Sequence, residues 1–435
     1  MTIVEPGNQA GRSSAHAHVV VIGAGIVGAA TALELLRDGH TVTIVEPGDP
    51  GGEQAASYGN GAWLSPSSVV QMSHPGIWKE VPGYLFDPLR PLAIRWRHFP
   101  RLVPWLLRFL AAGSSEPKVH AAGRALRPLL ADAPARHQKL ADEAGVGDLI
   151  QRKGLLYVFP MRANFEADAL AWNVRAATGV KWLELDENEL RQREPELDRR
   201  YTFGVLVEDG GHCVDPGGYV GALVLHAKRS GAEIRKTKAL GFVIERGRLR
   251  AVRTRDGDMA CDRAVICAGA WSKALARESG DRILLESERG YHAMIQDPRA
   301  RPRHPTLPAD IKASITMTKG GLRIAGQVEL ASLDAAPNWQ RAQILLDHLK
   351  RTFPGLQQDD LTTDRVKIWM GHRPATPDAL PVIGPASGCS DIIYGFGHGH
   401  TGLASGAITG RLVADLISGK PPVIDPTPYS ARRFS

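Results

Sequence analysis

At 435 residues the chain is too long for one hydrophobic core and long enough for two domains. Its 43% hydrophobic and 23% charged residues are those of an ordinary soluble globular protein. The formal net charge is +7, which permits attraction to anionic lipid or acidic substrates, but Lys and Arg are scattered without a basic block, which argues against nucleic acid as a partner.

There are four cysteines, Cys213, Cys261, Cys267 and Cys389, and no C-x-x-C pair. That spacing supports neither a zinc site nor a disulfide framework, and it suits a reducing compartment. No internal repeat or low-complexity segment occurs.

Residues 1–17 read as a disordered leader. His18 to Glu46 reads as a β-α-β unit. Four β-formers, Val19 to Ile22, run into a glycine turn with Gly23, Gly25 and Gly28 at G-x-G-x-x-G spacing. A helix follows from Ile26 to Arg37, then a strand from Thr41 to Val45 that ends in Glu46. This is the dinucleotide fingerprint. Gly23 permits the turn, Gly25 admits a pyrophosphate, and Gly28 lets helix and strand lie close. The helix N-terminus, with Ala24, Ile26 and Val27 around it, offers amides and partial positive charge. Glu46 stands where an acid accepts bonds from ribose hydroxyls, and no nearby Arg favours NADP. The apolar run Val19 to Leu33 is too short to cross a bilayer comfortably and is followed by no cleavage pattern, so it is neither span nor signal peptide. The expected location is the cytoplasm, with peripheral contact at the inner face of the membrane as an option.

The small residues of Ala55 to Ala62 imply a turn packed against something bulky. Ser57, Asn60 and Gly61 serve either a cofactor or the turn itself. Ile77 to Leu110 is rich in Trp, Phe, Leu, Arg and Pro. Prolines 82, 88, 91, 100 and 104 are expected to cut it into short pieces. Aromatics beside arginines suit a membrane interface or a lid packed on its own domain. Helices are expected over 121–145, 163–177 and 219–230, strands at 154–159 and 203–207, and a hairpin over Arg246 and Gly247. Asp262 to Ser272 reads as a buried strand ending in Ala268-Gly269-Ala270, with Trp271 beyond, where a ligand can approach the backbone. From 283 to 369 strands alternate with turns around one helix, 339–352. Near the C-terminus a strand, 392–394, enters the loop GFGHGHTGL, which holds Gly397, His398, Gly399, His400, Thr401 and Gly402. A helix from Leu403 to Ile417 follows. The two histidines lack a nearby acid or third ligand, so no metal is expected.

Taken together, five ordered motifs resemble the flavin-dependent D-amino acid oxidase superfamily: VVVIGAGIVGAATALEL, SYGNGAWLSP, AVICAGAWS, GHRPATPDALPVIG at 371–384, and GFGHGHTGL. Within it the chain is most similar to bacterial D-amino acid dehydrogenases, a placing that PLAIRWRHFPRLVPWLLRFL supports over glycine and sarcosine oxidases. The resemblance implies a mixed α/β fold. A Rossmann-like FAD-binding domain would come from 18–72, 200–282 and 372–435, and a substrate domain built on an antiparallel sheet from 73–199 and 283–371. It implies FAD, held non-covalently, since no cysteine lies in an attachment motif. It assigns Arg373 to the substrate carboxylate, the structural alternative being a pair with Asp378. His398 and Tyr291 are further candidates for the catalytic site, and Tyr58 a second guess for a carboxylate-binding tyrosine. The implied reaction is hydride loss from Cα of a D-amino acid, D-proline or hydroxyproline included, to flavin N5. Electrons would then pass to a quinone or other carrier. An O2-using oxidase and a non-catalytic FAD-holding subunit are the alternatives.

Overall fold

The computed structural model describes residues 16–86 and 91–434. The expected leader, 1–17, falls almost wholly outside the described residues, as do positions 87–90 of the aromatic segment.

The fingerprint strand, His18–Ile22, lies inside a six-stranded sheet. Glu233–Arg235, Thr41–Val45, His18–Ile22, Arg263–Ile266 and Ile392–Phe396 run parallel in that order, and Val382–Pro385 closes the edge antiparallel. Both faces of this sheet are covered, which is why its strands are continuous apolar runs rather than alternating ones. Val19 and Val21 pack with the helices Ile26–Arg37, Pro216–Arg229 and Gly402–Ser418. Val20 and Ile22 pack with Phe242, Leu249 and Val252 of a three-stranded antiparallel sheet on the other face. The helix Ile26–Arg37 is built from small and apolar residues almost all round because it is sandwiched between the sheet and Gly402–Ser418. The expected hairpin is present, with Arg246 and Gly247 both at positive φ, the twist-compatible conformation for a two-residue turn.

A second, nine-stranded and mostly antiparallel sheet carries the rest. Its edge strand Val366–Ala375 pairs along its full length with Glu286–Ile295, which pairs in turn with Gly321–Leu330. Every residue of Glu286–Ile295 is buried.

Four sequence expectations change. The last of the strands expected from 283 to 369 does not stop short of Arg373. The strand continues through Pro374 to Ala375, and proline is tolerated because this is an edge strand whose missing N–H has no partner to serve. Phe203–Val207, placed by sequence with the cofactor segments, pairs with Leu155–Phe159 in the second sheet. The single helices over 121–145 and 163–177 are each two, Glu116–Leu130 with Ala133–Glu143 and Arg162–Ala167 with Ala169–Ala177. The first break coincides with Pro134, which starts a new helix far better than it continues an old one. In the aromatic segment, Pro100 and Pro104 sit within one helix, Phe99–Ala112, rather than dividing it. Its Leu102, Trp105, Leu106 and Phe109 pack against Leu330 and Ala375, and that burial outweighs the lost backbone bond. Among the described residues no helix is long and apolar enough to cross a membrane.

Candidate functional site

The parallel strands deliver three glycine turns to one edge of the sheet. Strand order fixes their sequence along that edge: Glu46, then Gly23–Gly25, then Ala268–Trp271, then the 397–403 loop. Ligands in open α/β sheets bind at this carboxyl end. A cavity of about 1760 Å³ runs there, larger than the roughly 300–1,000 Å³ of ordinary small-molecule sites. Of the sequence-nominated residues it is lined by Gly23, Gly25, Ile26, Val27, Glu46, Ser57, Asn60, Gly61, Ala268, Gly269, Trp271, Arg373, His398, Gly399, His400, Gly402 and Leu403.

Each fingerprint glycine has a distinct geometry. Gly23 takes φ +105°, and a Cβ there would lie 2.5 Å from the Cys267 carbonyl. A Cβ on Gly28 would meet the Gly23 carbonyl at 1.9 Å, so that residue closes helix on strand rather than lining the cavity. Gly25 is different. Its backbone is ordinary, and a Cβ there would touch only Ser57 Oγ, at 3.4 Å. The rest of that space is cavity, a cradle that a side chain would fill. Gly25 and Val27 carry amides at the helix start, where no carbonyl one turn back exists to take them. A dinucleotide pyrophosphate fits this arrangement. Glu46 accepts from the Ala24 and Gly48 amides at 2.9 and 3.0 Å, which fixes its carboxylate and leaves lone pairs for hydroxyls. Ala24 itself is behind the lining.

Residues 57–62 largely hold their own turn. Ser57 Oγ accepts from the Ile26 amide at 3.1 Å and keeps its proton for another acceptor. Asn60 donates to the Ser57 carbonyl and accepts from the Ala62 amide, so its side chain is spent on the loop, and the Gly61 carbonyl accepts from Thr316.

Arg373 reaches the cavity from the second sheet. Its Nη1 donates to the Gln327 carbonyl at 2.9 Å and its Nη2 to the Gly326 carbonyl at 3.4 Å. Two of five N–H groups are used, and the fork keeps the others for a ligand. The side chain lies over Gly290 of the next strand, where a Cβ would stand 2.3 Å from Arg373 Cζ. The two carbonyls converge because Gly321–Leu330 carries a register shift opposite Arg289 and Tyr291, with Gln327 at φ +58°. Left-handed backbone in a non-glycine residue is strain of the kind that collects at functional sites. The alternative pair with Asp378 is not made: Arg433 takes that carboxylate, with Nε at 2.8 Å.

Three nominated residues are corrected. Tyr291 points to the far side of its strand from Gly290. Its hydroxyl donates to Glu329 at 2.6 Å and accepts from the Asn338 amide, so it does not line the cavity. Tyr58 packs against Trp369 and is also outside the lining. The tyrosines that line it are Tyr84 and Tyr157. His398 faces the cavity but is bonded to Thr409 at 3.0 Å, and burial pushes its imidazole down to about 3. It is neutral at physiological pH, ties the loop to the helix and is too weak a base to take a substrate proton. His400 is likewise held low, at about 4, by burial and then by Arg373. Gly397 and Thr401 shape the loop from behind, Thr401 donating to the His398 carbonyl. No three-residue group of metal-ligating side chains occurs among the described residues.

Sequence reading missed Glu288, 3% exposed and lining the cavity directly across the strand pair from Arg373. It also missed His372, which is bonded to Ser287 and stands against Trp271 at the cavity wall.

Residues 18–416 match the family model for DAO, the FAD-dependent oxidoreductases. The chain is 54% identical, over 96% of its length and 99% of the relative's, to a D-amino-acid oxidase of Bradyrhizobium diazoefficiens. It is 31% identical, over 96% and 99%, to a D-amino acid dehydrogenase of Paramagnetospirillum magneticum. Its fold is similar to that of glycine oxidase from Geobacillus kaustophilus, with a TM-score of 0.71 at 22% identity over 96% of this chain and 98% of the other.

Proposed function

This chain belongs to the DAO family of FAD-dependent oxidoreductases, and we propose from that premise that it oxidises D-amino acids to 2-oxo acids and ammonia, or proline-type substrates to cyclic imines. The observation that carries the reading is Arg373, a fork anchored on two carbonyls and open to the same cavity as the fingerprint amides. A guanidinium so held fixes a carboxylate by two parallel bonds and thereby fixes Cα.

In this reading the Gly25 and Val27 amides take the pyrophosphate of a non-covalent FAD and Glu46 the ribose. The Thr401 amide donates to the His398 carbonyl; the amides of Gly399, His400, Gly402 and Leu403, at the start of Gly402–Ser418, would stabilise the ring edge that becomes anionic on reduction. Bound FAD supplies the acceptor for the hydride that leaves Cα. A non-catalytic FAD-holding subunit would have no use for an arginine buried at such cost.

Two electron acceptors each have an observation in their favour. The Pro91–Leu110 segment favours a carrier or quinone, as in dehydrogenases. The 54% identity to a protein named an oxidase favours O2, and because it spans nearly the whole chain we take O2 as the leading acceptor. Turnover of a D-amino acid should then consume oxygen and release hydrogen peroxide. Turnover that requires an added quinone, with no oxygen uptake, would select the dehydrogenase.

Peripheral membrane contact is a second element of the proposal. Trp78, Phe86, Trp96 and Leu107 are exposed, and Arg97, Arg101 and Arg108 beside them are exposed too. Trp105 is buried and donates to the Ala375 carbonyl, so replacing it would cost about 3–5 kcal/mol and test folding rather than lipid. The protein should sediment with anionic vesicles at low salt, and Trp78→Ser with Trp96→Ser should weaken that binding. Absence of sedimentation leaves the segment as a packed lid.

A further inference from the structure

Glu288 has no bond to explain it. It is 3% exposed, and among the described residues it makes no hydrogen bond and no ion pair. A carboxylate in that state is costly unless something supplies donors. Cross-strand partner Arg373, the one obvious cation, is turned instead to the carbonyls of Gln327 and Gly326. What lies in front of Glu288 is the cavity.

The groups facing it are few. Arg373 comes from the edge strand, Thr376 from just beyond it, His398 and His400 from the glycine loop, and Gln71 and Ser73 from the segment before the aromatic region. Leu330 opposes it on the other neighbouring strand and is apolar. Both histidines are neutral at physiological pH. Glu286, two residues along the same face, is taken up by His98 and Lys273, so among the described residues Arg373 is the charge left opposite Glu288, and the two present a plus and a minus side by side on one face.

An amino acid zwitterion is the complement of that pair. Its carboxylate and ammonium hang from one carbon, so their partners must be neighbours. Cross-strand residues, about 4.5–5.5 Å apart at Cβ, are. With the carboxylate on Arg373, the ammonium meets Glu288.

We propose that Glu288 binds the substrate ammonium and accepts its proton before Cα is oxidised. One ammonium N–H bond breaks, the proton passes to a Glu288 oxygen, and the electron pair stays on nitrogen. That pair forms the C=N bond as the Cα hydrogen leaves with its own electrons for the flavin. An ammonium has no such pair, so some base must act first. Burial pushes the Glu288 carboxyl up to about 7, against the opposite pull of Arg373, which suits a group that exchanges protons near neutrality.

The proposal rests on the amino-acid oxidation reading, and its test separates the two. In FAD-loaded protein, Glu288→Gln keeps shape and removes basicity. Its kcat/KM for D-alanine at neutral pH should fall by about a hundredfold or more. The wild-type profile should rise through a limb near pH 7, because the ionised carboxylate is the competent form. In Glu288→Gln that limb should vanish, and activity should climb only toward the pKa of the free amine. Binding, read from the flavin spectrum, should split: benzoate, a carboxylate without an amine, binds the variant at least as tightly as wild type. An unchanged pH profile overturns the proposal. Parallel loss of benzoate binding also overturns it, marking Glu288 as a structural counter-charge. A loss confined to D-lysine and D-arginine overturns it too, in favour of a side-chain reader. Should Glu288→Gln not fold, Glu288→Asp decides: a displaced limb supports the proposal and an unmoved one refutes it. Wild type that neither binds benzoate nor is reduced by any amino acid refutes the proposed function instead.

Discussion

Arg373→Ala should lower kcat/KM for D-amino acids by roughly tenfold to a few hundredfold. Charge-assisted bonds are worth about 1.5–3 kcal/mol, and kcat/KM reports their loss directly. Drift of Cα from the flavin would deepen the effect. Arg373→Lys keeps the charge without the fork and should recover only part of the activity. Gly290→Ala offers a matched case, since its Cβ would displace an intact guanidinium. It should raise KM although the arginine is still present in the chain. Amides of the same amino acids should be poor substrates and lose relatively less. FAD content should stay near wild type in all three variants. Removing Arg373 also strips donors from the Gln327 and Gly326 carbonyls, so some loss of stability, about 1–3 kcal/mol, accompanies the kinetic effect. Equal reaction of acids and amides in Arg373→Ala would end the clamp reading.

The second large effect is expected at Gly25. Its φ of −71° suits any residue, and a Cβ has room beside Ser57. Gly25→Val should therefore fold. Its side chain would project where the pyrophosphate runs, so the purified variant should be colourless or nearly so. Its Tm should fall toward that of apoprotein, because lost ligand is lost stabilisation. Gly23→Ala is the informative contrast. At φ +105°, with the Cys267 carbonyl in its way, it damages the strand–helix corner itself and should misfold with or without FAD. Wild type should release FAD on acid or heat denaturation. Full FAD occupancy in Gly25→Val would contradict the fingerprint assignment, and flavin that stays on the denatured chain would contradict non-covalent attachment.

What was legible in the chain was local. The strand His18–Ile22, the turn at Gly23 and the helix Ile26–Arg37 are specified by residues within reach of one another, and the helix stands at the expected bounds. Arg373 was legible as a motif, but its support was not. The carbonyls that hold it lie 46 and 47 residues away in sequence, at a register shift that no local pattern announces. Tyr291 went wrong for the reason that period-two alternation matters: it is one residue from Gly290 and so faces the other way. Glu288 left a faint signal. Glu286 and Glu288 stand two apart in a strand buried throughout, which puts two acids on one face. Glu286 has partners in His98 and Lys273, and Glu288 has none. Only the pairing of strands distant in sequence reveals which of the two is free to act. Local propensity marks Pro100 and Pro104 as breaks, and the packing of Trp105 and Phe109, which involves residues distant in sequence, overrides it.

The most direct measurement mixes the purified yellow protein anaerobically with a panel of D-, L- and N-methyl amino acids and follows the flavin absorbance. Rapid bleaching by D-amino acids, slower or absent bleaching by their amides and L-forms, and stoichiometric 2-oxo acid or imine in the quenched mixture are the predicted result. Flavin that dithionite reduces but no member of the panel bleaches would contradict the account.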